Sequence, residues 1–128
     1  MKITRIYTGE DGQSHFEDLD VPMHERNGPI GRITDPIPAT TTFFRETPVD
    51  VDADVYDFHC APRRQFVIHL EGVVEIEVGD GTARQFGPGE ILLADDTTGQ
   101  GHISRGVKTP RSQIFVALAQ EADVDQWR

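Results

Sequence analysis

The sequence predicts an all-β sandwich or barrel, and three observations point to it. Twelve glycines and eight prolines are spread along the whole chain of 128 residues. They separate short segments rich in Val, Ile, Phe and Thr, which favour strands. Several of these segments alternate apolar and polar residues, as strands do in a sheet with one solvated face. The length corresponds to one domain, so residues 1–128 are expected to form a single unit.

The first half of the chain predicts three strands and two longer connections. The strands are expected at residues 3–8, 14–19 and 42–46. A turn at 9–12 joins the first two. Residues 21–41 contain four of the prolines and show no sustained period, so this segment is expected to wrap around the domain without strands. Residues 48–54 are expected to form an acidic loop.

The second half is more regular. Here Val74 and Ile76 alternate with Glu75 and Glu77, which favours a strand with one wet face. The sequence Gly79-Asp80-Gly81 then predicts a hairpin, because Asp-Gly tolerates positive φ. The expected strands are 55–60, 65–71, 73–78, 82–86, 90–94, 102–105 and 112–119, followed by a helical turn at 121–127.

Charge and cysteine content exclude several kinds of partner. The chain has 12 Lys and Arg against 22 Asp and Glu, a formal charge of -10. Such a surface repels phosphate, so neither nucleic acid nor an anionic membrane is expected as a partner. No apolar run approaches the roughly 20 residues that span a bilayer. The single cysteine, Cys60, allows no internal disulfide. With no secretory signal at the amino terminus, a cytoplasmic location is expected.

Two segments of the central region resemble the paired motifs of the cupin superfamily. Residues 58–65 (FHCAPRRQ), with Gly72 six residues later, resemble the first motif: His-x-His, three or four residues, Glu, six residues, Gly. Residues 86–93 (FGPGEILL), running on to Gly101-His102, resemble the second, in which a Pro-x-Gly turn leads a strand and a His follows. The resemblance implies a cupin-like antiparallel β-barrel (jelly roll). It also implies a homodimer, to which the strand at 3–8 is expected to contribute by crossing to the partner.

The metal-binding positions of the first motif are degenerate. The resemblance places His59 at the first His position and His102 at the last. Ala61 occupies the second His position and cannot ligate a metal, and Gln65 replaces the Glu. The ligand set that cupins offer a divalent transition metal (Fe, Mn, Ni or Zn) is therefore reduced to His59, Gln65 and His102, which is weaker than three imidazoles and a carboxylate.

Two interpretations of this reduced set remain open. In the first, a nearby carboxylate restores a site with two His and one acid: Asp57, which should share a face with His59 by strand alternation, or Asp95 or Asp96 on the next loop. In the second, no metal is bound and the two histidines bind ligand or transfer protons, for which an ordinary pKa near 6.5 is suitable.

Three further residues within or close to the first motif have possible roles in the pocket. Arg63 and Arg64 lie in the turn between two strands, near the expected mouth of the barrel. With Gln65 they are candidates for binding a substrate carboxylate or phosphate; the alternative is a solvated turn that pairs with nearby aspartates. His69 should point inward by parity with Gln65 and is expected to be a satisfied core histidine.

The resemblance and the residues together favour a small-molecule enzyme. The expected enzyme is of cupin type, a dioxygenase, isomerase or lyase acting on a small polar or carboxylated substrate, with His59 and His102 as catalytic residues. The alternative is a metal-free binding protein or sensor that uses the same pocket without turnover. A purely structural role is disfavoured, because inward polar side chains cost stability unless they serve a purpose.

Overall fold

The computed structural model describes residues 1–25, 31–48 and 55–128. This part of the chain contains ten strands and one short 3-10 helix, Asp125–Trp127, which confirms the expected all-β class. The strands are β1 (Lys2–Thr8), β2 (Ser14–Asp20), β3 (His24–Glu25), β4 (Arg32–Ile33), β5 (Ala39–Thr47), β6 (Val55–His59), β7 (Gln65–Glu77), β8 (Ala83–Phe86), β9 (Ile91–Asp95) and β10 (His102–Leu118). No helix within these residues is long and apolar enough to cross a bilayer.

Eight of the strands form one sheet. Its order is β2-β1-β9-β7-β10-β5, with β6 attached to β10 and β8 attached to β7, while β3 and β4 form a separate ribbon. All pairs are antiparallel except β1 and β9, which are parallel. The sheet is therefore mixed, and among the described residues its path of pairing ends at β2 and at β5 without closing into a ring. Strand β1 is paired on both sides within the chain, so it has no edge with which to cross to a partner.

Two long strands replace two predicted pairs of short ones. The sequence predicted a break at Gly72 and another between 105 and 112, but β7 and β10 run through both points. Gly72 adopts a φ of 78°, and the pairing register of β7 with β10 shifts there. A bulge of this kind bends a strand without ending it. Because β7 and β10 bend, the sheet curves around an enclosed space, and residues of both strands line it.

The connections also differ from expectation in detail. Within the segment that was expected to lack strands lie β3, β4 and the first residues of β5. The proposed acidic loop lies outside the described residues from position 49 to 54. The expected helical turn at the carboxyl terminus is present, shortened to Asp125–Trp127.

The core is divided between the two faces of the sheet. Inside the bend pack Ile6, Val67, Val74, Ile76, Val78, Phe86, Leu92 and Ala94. On the opposite face pack Ile3, Leu19, Val21, Leu93 and Val124. Neighbouring residues of β9, Leu92 and Leu93, thus serve different clusters, because successive side chains of a strand point to opposite faces. The same alternation decides which polar residues face the enclosed space.

Candidate functional site

A cavity of about 330 Å³ lies inside the bend of the sheet. It brings together three of the residues selected from the sequence, His59, Gln65 and His102. Gln65 is 4% exposed and His102 is 6% exposed. The walls between them are apolar and include Val67, Leu92 and other residues of the inner core cluster. This combination of an apolar lining and a few placed polar groups is typical of small-molecule sites.

The two histidines meet because β6 and β10 pair directly. His59 and His102 are cross-strand partners, and their ring centroids lie 4.5 Å apart at an interplanar angle of 57°. The ring of Tyr56 packs edge-on against His59 with a centroid separation of 4.1 Å. Just before His102, Gly101 has a φ of 80°, which turns the chain into β10 beside the carbonyl of His59.

His102 is held by a buried carboxylate. Its Nδ1 donates to Oδ2 of Asp96 at 2.6 Å, and Asp96 is 0% exposed. The hydroxyl of Ser14 donates to the same oxygen at 2.7 Å. A carboxylate in this position fixes the proton of the neutral imidazole on Nδ1 and leaves Nε2 as the acceptor. It also stabilises the imidazolium that forms when Nε2 takes a proton.

His59 is held in the same tautomer by the backbone. Its Nδ1 donates to the carbonyl oxygen of Asp57 at 2.8 Å, so Nε2 carries the lone pair. Burial is the main cause that lowers the pKa of His59 and the neighbouring His102 adds to it, while the hydrogen bond to Asp57 and the charge of Asp96 partly oppose it. His59 is therefore neutral at pH 7 and can accept a proton.

Arg63 and Arg64 have different surroundings. Arg63 donates from Nη1 to Oε1 of Gln65 at 3.1 Å, and its guanidinium lies 4.8 Å from the ring centre of Phe43. It therefore acts on the cavity through Gln65. The expected position of Arg64 near the mouth needs correction, since Arg64 donates from Nη2 to the carbonyl of Ala119 at 2.8 Å and lines a separate cleft. Consecutive residues leading into β7 point to opposite sides.

The acids considered as additional metal ligands do not complete the site. The side chain of Asp57 is exposed and accepts from the backbone N–H of Phe58 at 2.8 Å. Asp95 lies on the other face of β9, where it pairs with Arg5 at 2.6 Å. Asp96 does turn inward, but its carboxylate is engaged by His102 and Ser14.

These donors do not fit a tightly held metal ion. In the described ranges no group of three or more His, Cys, Asp or Glu side chains has a metal-binding arrangement. The amide oxygen of Gln65 already accepts from the cationic Arg63, which makes it a poor ligand for another cation. What remains is a pair of imidazoles, fewer than the three or four protein ligands of known catalytic sites.

Several polar residues of the cavity were not selected from the sequence. They are Arg45, Tyr56, Ser104, Arg105, Arg111 and Gln113. Gln113 offered a signal, since it is a polar residue in the largely apolar predicted strand 112–119. The expected inward orientation of His69 is confirmed: the side chain lines the cavity, is 3% exposed and donates from Nδ1 to the carbonyl of Glu90 at 2.9 Å.

Acidification below pH 6.5 is expected to destabilise the fold through His69. Burial is the main cause that lowers the pKa of His69 below its ordinary value of 6.5. Between the folded-state pKa and 6.5, the unfolded chain binds a proton that the folded chain excludes. The free energy of unfolding therefore falls as the pH falls through this window.

Urea unfolding at a series of pH values measures this effect. The His69→Phe variant should show a weaker pH dependence below 6.5 than the parent, because one of the buried neutral imidazoles is gone. His24→Phe is the control, since His24 is exposed and pairs with Asp35 at 3.2 Å on the surface. Equal pH dependence in the parent and His69→Phe would contradict the expectation.

The sequence matches no protein-family model, and it has no significant similarity to a curated protein. The chemistry of the cavity is therefore the basis on which a function can be argued.

Proposed function

We propose that this chain is a cupin-type enzyme that moves protons on a small polar or carboxylated substrate without a resident metal. The observation that carries the proposal is the series formed by Asp96, His102 and His59, in which a buried carboxylate orients one imidazole and a second imidazole lies 4.5 Å away. The motif resemblance around His59 and His102 supports the same pair. Isomerisation or elimination is the reaction class that this chemistry suits.

Each of the two imidazoles acts on a different proton of the substrate. His102 takes a proton from the substrate at Nε2, and Asp96 stabilises the imidazolium from the other side of the ring. His59, which is neutral with a lone pair on Nε2, accepts a proton from a second position of the substrate, and both rings then return their protons to the product. The apolar walls hold the substrate against these rings, and Gln65 supplies a hydrogen bond that orients it.

The proton-transfer proposal can be tested by hydrogen exchange at carbon. Pyruvate, levulinate and levulinamide, each with protons next to a carbonyl, are incubated with the protein in deuterium oxide and followed by proton NMR. We expect the parent protein to accelerate exchange in at least one of them, and we expect His102→Gln to reduce that acceleration by roughly 100-fold or more. His15→Gln is the control, because His15 pairs with Asp11 at the surface.

The outcomes separate the candidate functions. Acceleration that survives in both His59→Gln and His102→Gln would contradict the proposed reaction. Binding of these compounds with no acceleration in the parent would favour the alternative, a metal-free binding protein or sensor without turnover.

Location and assembly complete the proposal. A cytoplasmic enzyme is in keeping with the single cysteine, which suits a reducing compartment. A homodimer is what the resemblance to cupins implies. Light scattering in solution measures the assembly directly, with a mass of twice 14.3 kDa expected for the dimer.

A further inference from the structure

A second group of polar side chains lies in the cavity, in one row across three strands. Gln113 of β10 is the cross-strand partner of Arg45 on β5 and of His69 on β7. All three line the cavity. The proton-transfer mechanism uses none of them, so the row needs its own explanation.

The hydrogen bonds of this row leave one donor and one acceptor unused. Arg45 donates from Nε to Oε1 of Gln113 at 3.1 Å, which fixes the amide so that its Nε2, with two N–H groups, is the other end. His69 donates from Nδ1 to the carbonyl of Glu90, so the neutral ring has a lone pair on Nε2. Neither Nε2 atom has a partner among the described residues, although Gln113 and His69 are each only 3% exposed.

Both residues line the cavity, so a ligand that enters it can engage the two unused Nε2 atoms. Cross-strand partners hold their Cβ atoms roughly 5 Å apart, so Gln113 and His69 can contact one small planar group together. The donor of Gln113 requires an acceptor on that group, and the lone pair of His69 requires a donor.

This row is well separated from Gln65, which lines the cavity together with the imidazole pair. His69 lies four residues along β7 from Gln65, a distance of about 13 Å between backbone positions. Between them the wall is apolar and includes Val67, Leu92 and Phe115. A ligand that fills the cavity therefore needs a polar group at each end and an apolar stretch between them.

We propose that Gln113 and His69 form a subsite for a carboxamide group of the ligand. The carbonyl of the carboxamide accepts from Nε2 of Gln113, and its N–H donates to Nε2 of His69. A carboxylate fits less well, because it has no proton to give to His69 and would require the ring to be protonated. Burial is the main cause that lowers the pKa of His69 and so disfavours that protonation; Glu90 opposes it and the positive charge of Arg45 adds to it. The inference deepens the proposed function by naming a substrate class, while the binding itself needs no turnover.

Matched six-carbon probes test the subsite. Hexanamide, hexanoate and hexanol share an alkyl chain and differ only in the polar end, and calorimetry measures the affinity of each at pH 7.5. We expect hexanamide to bind about tenfold more tightly than either of the others, and we expect Gln113→Leu and His69→Phe each to remove about tenfold of that affinity. Hexanol should bind the parent and the variants alike.

Two controls address folding and specificity. Gln113→Glu keeps the size of the side chain and a partner for Arg45 but replaces the amide donors with acceptors, so it should also lose hexanamide binding. Gln85→Leu alters an exposed glutamine of β8 that contacts Glu75 at 3.4 Å and should change nothing. Tighter binding of hexanoate than of hexanamide, or hexanamide binding that is indifferent to both Gln113 variants, would overturn the proposal.

Variants of His59 and His102 test the carboxamide subsite separately from the proposed proton-transfer reaction. Hexanamide binding should persist in His59→Gln and His102→Gln, since neither residue belongs to the row. If carbon-bound protons do not exchange but hexanamide binds as expected, the subsite stands and the proposed reaction fails. If exchange is catalysed but hexanamide shows no preference, the reaction stands and the carboxamide subsite fails.

Discussion

Asp96→Ala is expected to lower the free energy of unfolding by about 3–5 kcal/mol, since each of the two buried donors that it leaves without an acceptor costs about 1–3 kcal/mol. Asp96 is 0% exposed, and its Oδ2 accepts from both His102 and Ser14. The substitution leaves two buried donors without an acceptor and opens a small void. Urea unfolding measures the change in stability.

Two comparisons make the Asp96 result specific. Asp18→Ala removes an exposed carboxylate that pairs with Arg84 at 2.7 Å, and such surface pairs contribute only about 0–1 kcal/mol. Asp96→Asn keeps the shape and one acceptor, so it should lose less stability than Asp96→Ala, but it no longer stabilises a protonated His102. A loss of stability no larger for Asp96→Ala than for Asp18→Ala would show that the buried carboxylate does not hold the site together.

Gly101→Ala is expected to lower the free energy of unfolding by an amount similar to that of Asp96→Ala, because of the backbone geometry at this position. Gly101 has a φ of 80°, which costs a residue with a side chain roughly 1–2 kcal/mol. A Cβ at this position would also lie 2.0 Å from the carbonyl oxygen of His59, so β6 and the turn before β10 must separate. We expect a total loss of more than about 3 kcal/mol, at the upper end of the usual range for single substitutions, together with loss of the His59–His102 contact.

Gly81→Ala is the matched control for this prediction. Gly81 has a similar φ of 88°, but a Cβ there would meet nothing within 4 Å. Its cost should therefore be that of the backbone conformation alone, roughly 1–2 kcal/mol. Unfolding free energies of the two variants give the difference directly. Equal losses would mean that the close approach of Gly101 to His59 does not constrain the fold.

Strand alternation predicted much of what faces the cavity. It placed His69 on the same side as Gln65, as found. Applied to β9, the same rule explains why Asp95 pairs with Arg5 on the outer face while Asp96, one residue on, turns inward. The alternation did not hold for Asp57, whose exposed carboxylate contacts its own backbone neighbour. At the edge strand β6 no second strand of the described chain holds that side chain inward.

Continuous strands were harder to predict than side-chain direction. Gly72 and the region near Pro110 carry local signals that usually end a strand. In the folded chain, β7 and β10 continue past these positions. Their pairing register shifts there, and the long antiparallel pairing resumes on the other side. Such compensation depends on hydrogen bonds between strands some forty residues apart, which no local pattern contains.

By itself the sequence determined the all-β class, the positions of most strands and the orientation of His69 on the side of Gln65, because these follow from local conformational preference and the two-residue period of a strand. The expectation that His59 and Gln65 point inward came from the resemblance to the cupin motifs. The tertiary structure alone decided that Ser14 reaches Asp96, 82 residues away, and that Arg45, Gln113 and His69 align in one row. Those contacts depend on the register between strands and on where each long strand bends. Both are set by backbone hydrogen bonds and packing across the whole sheet, and not by neighbouring residues in the chain.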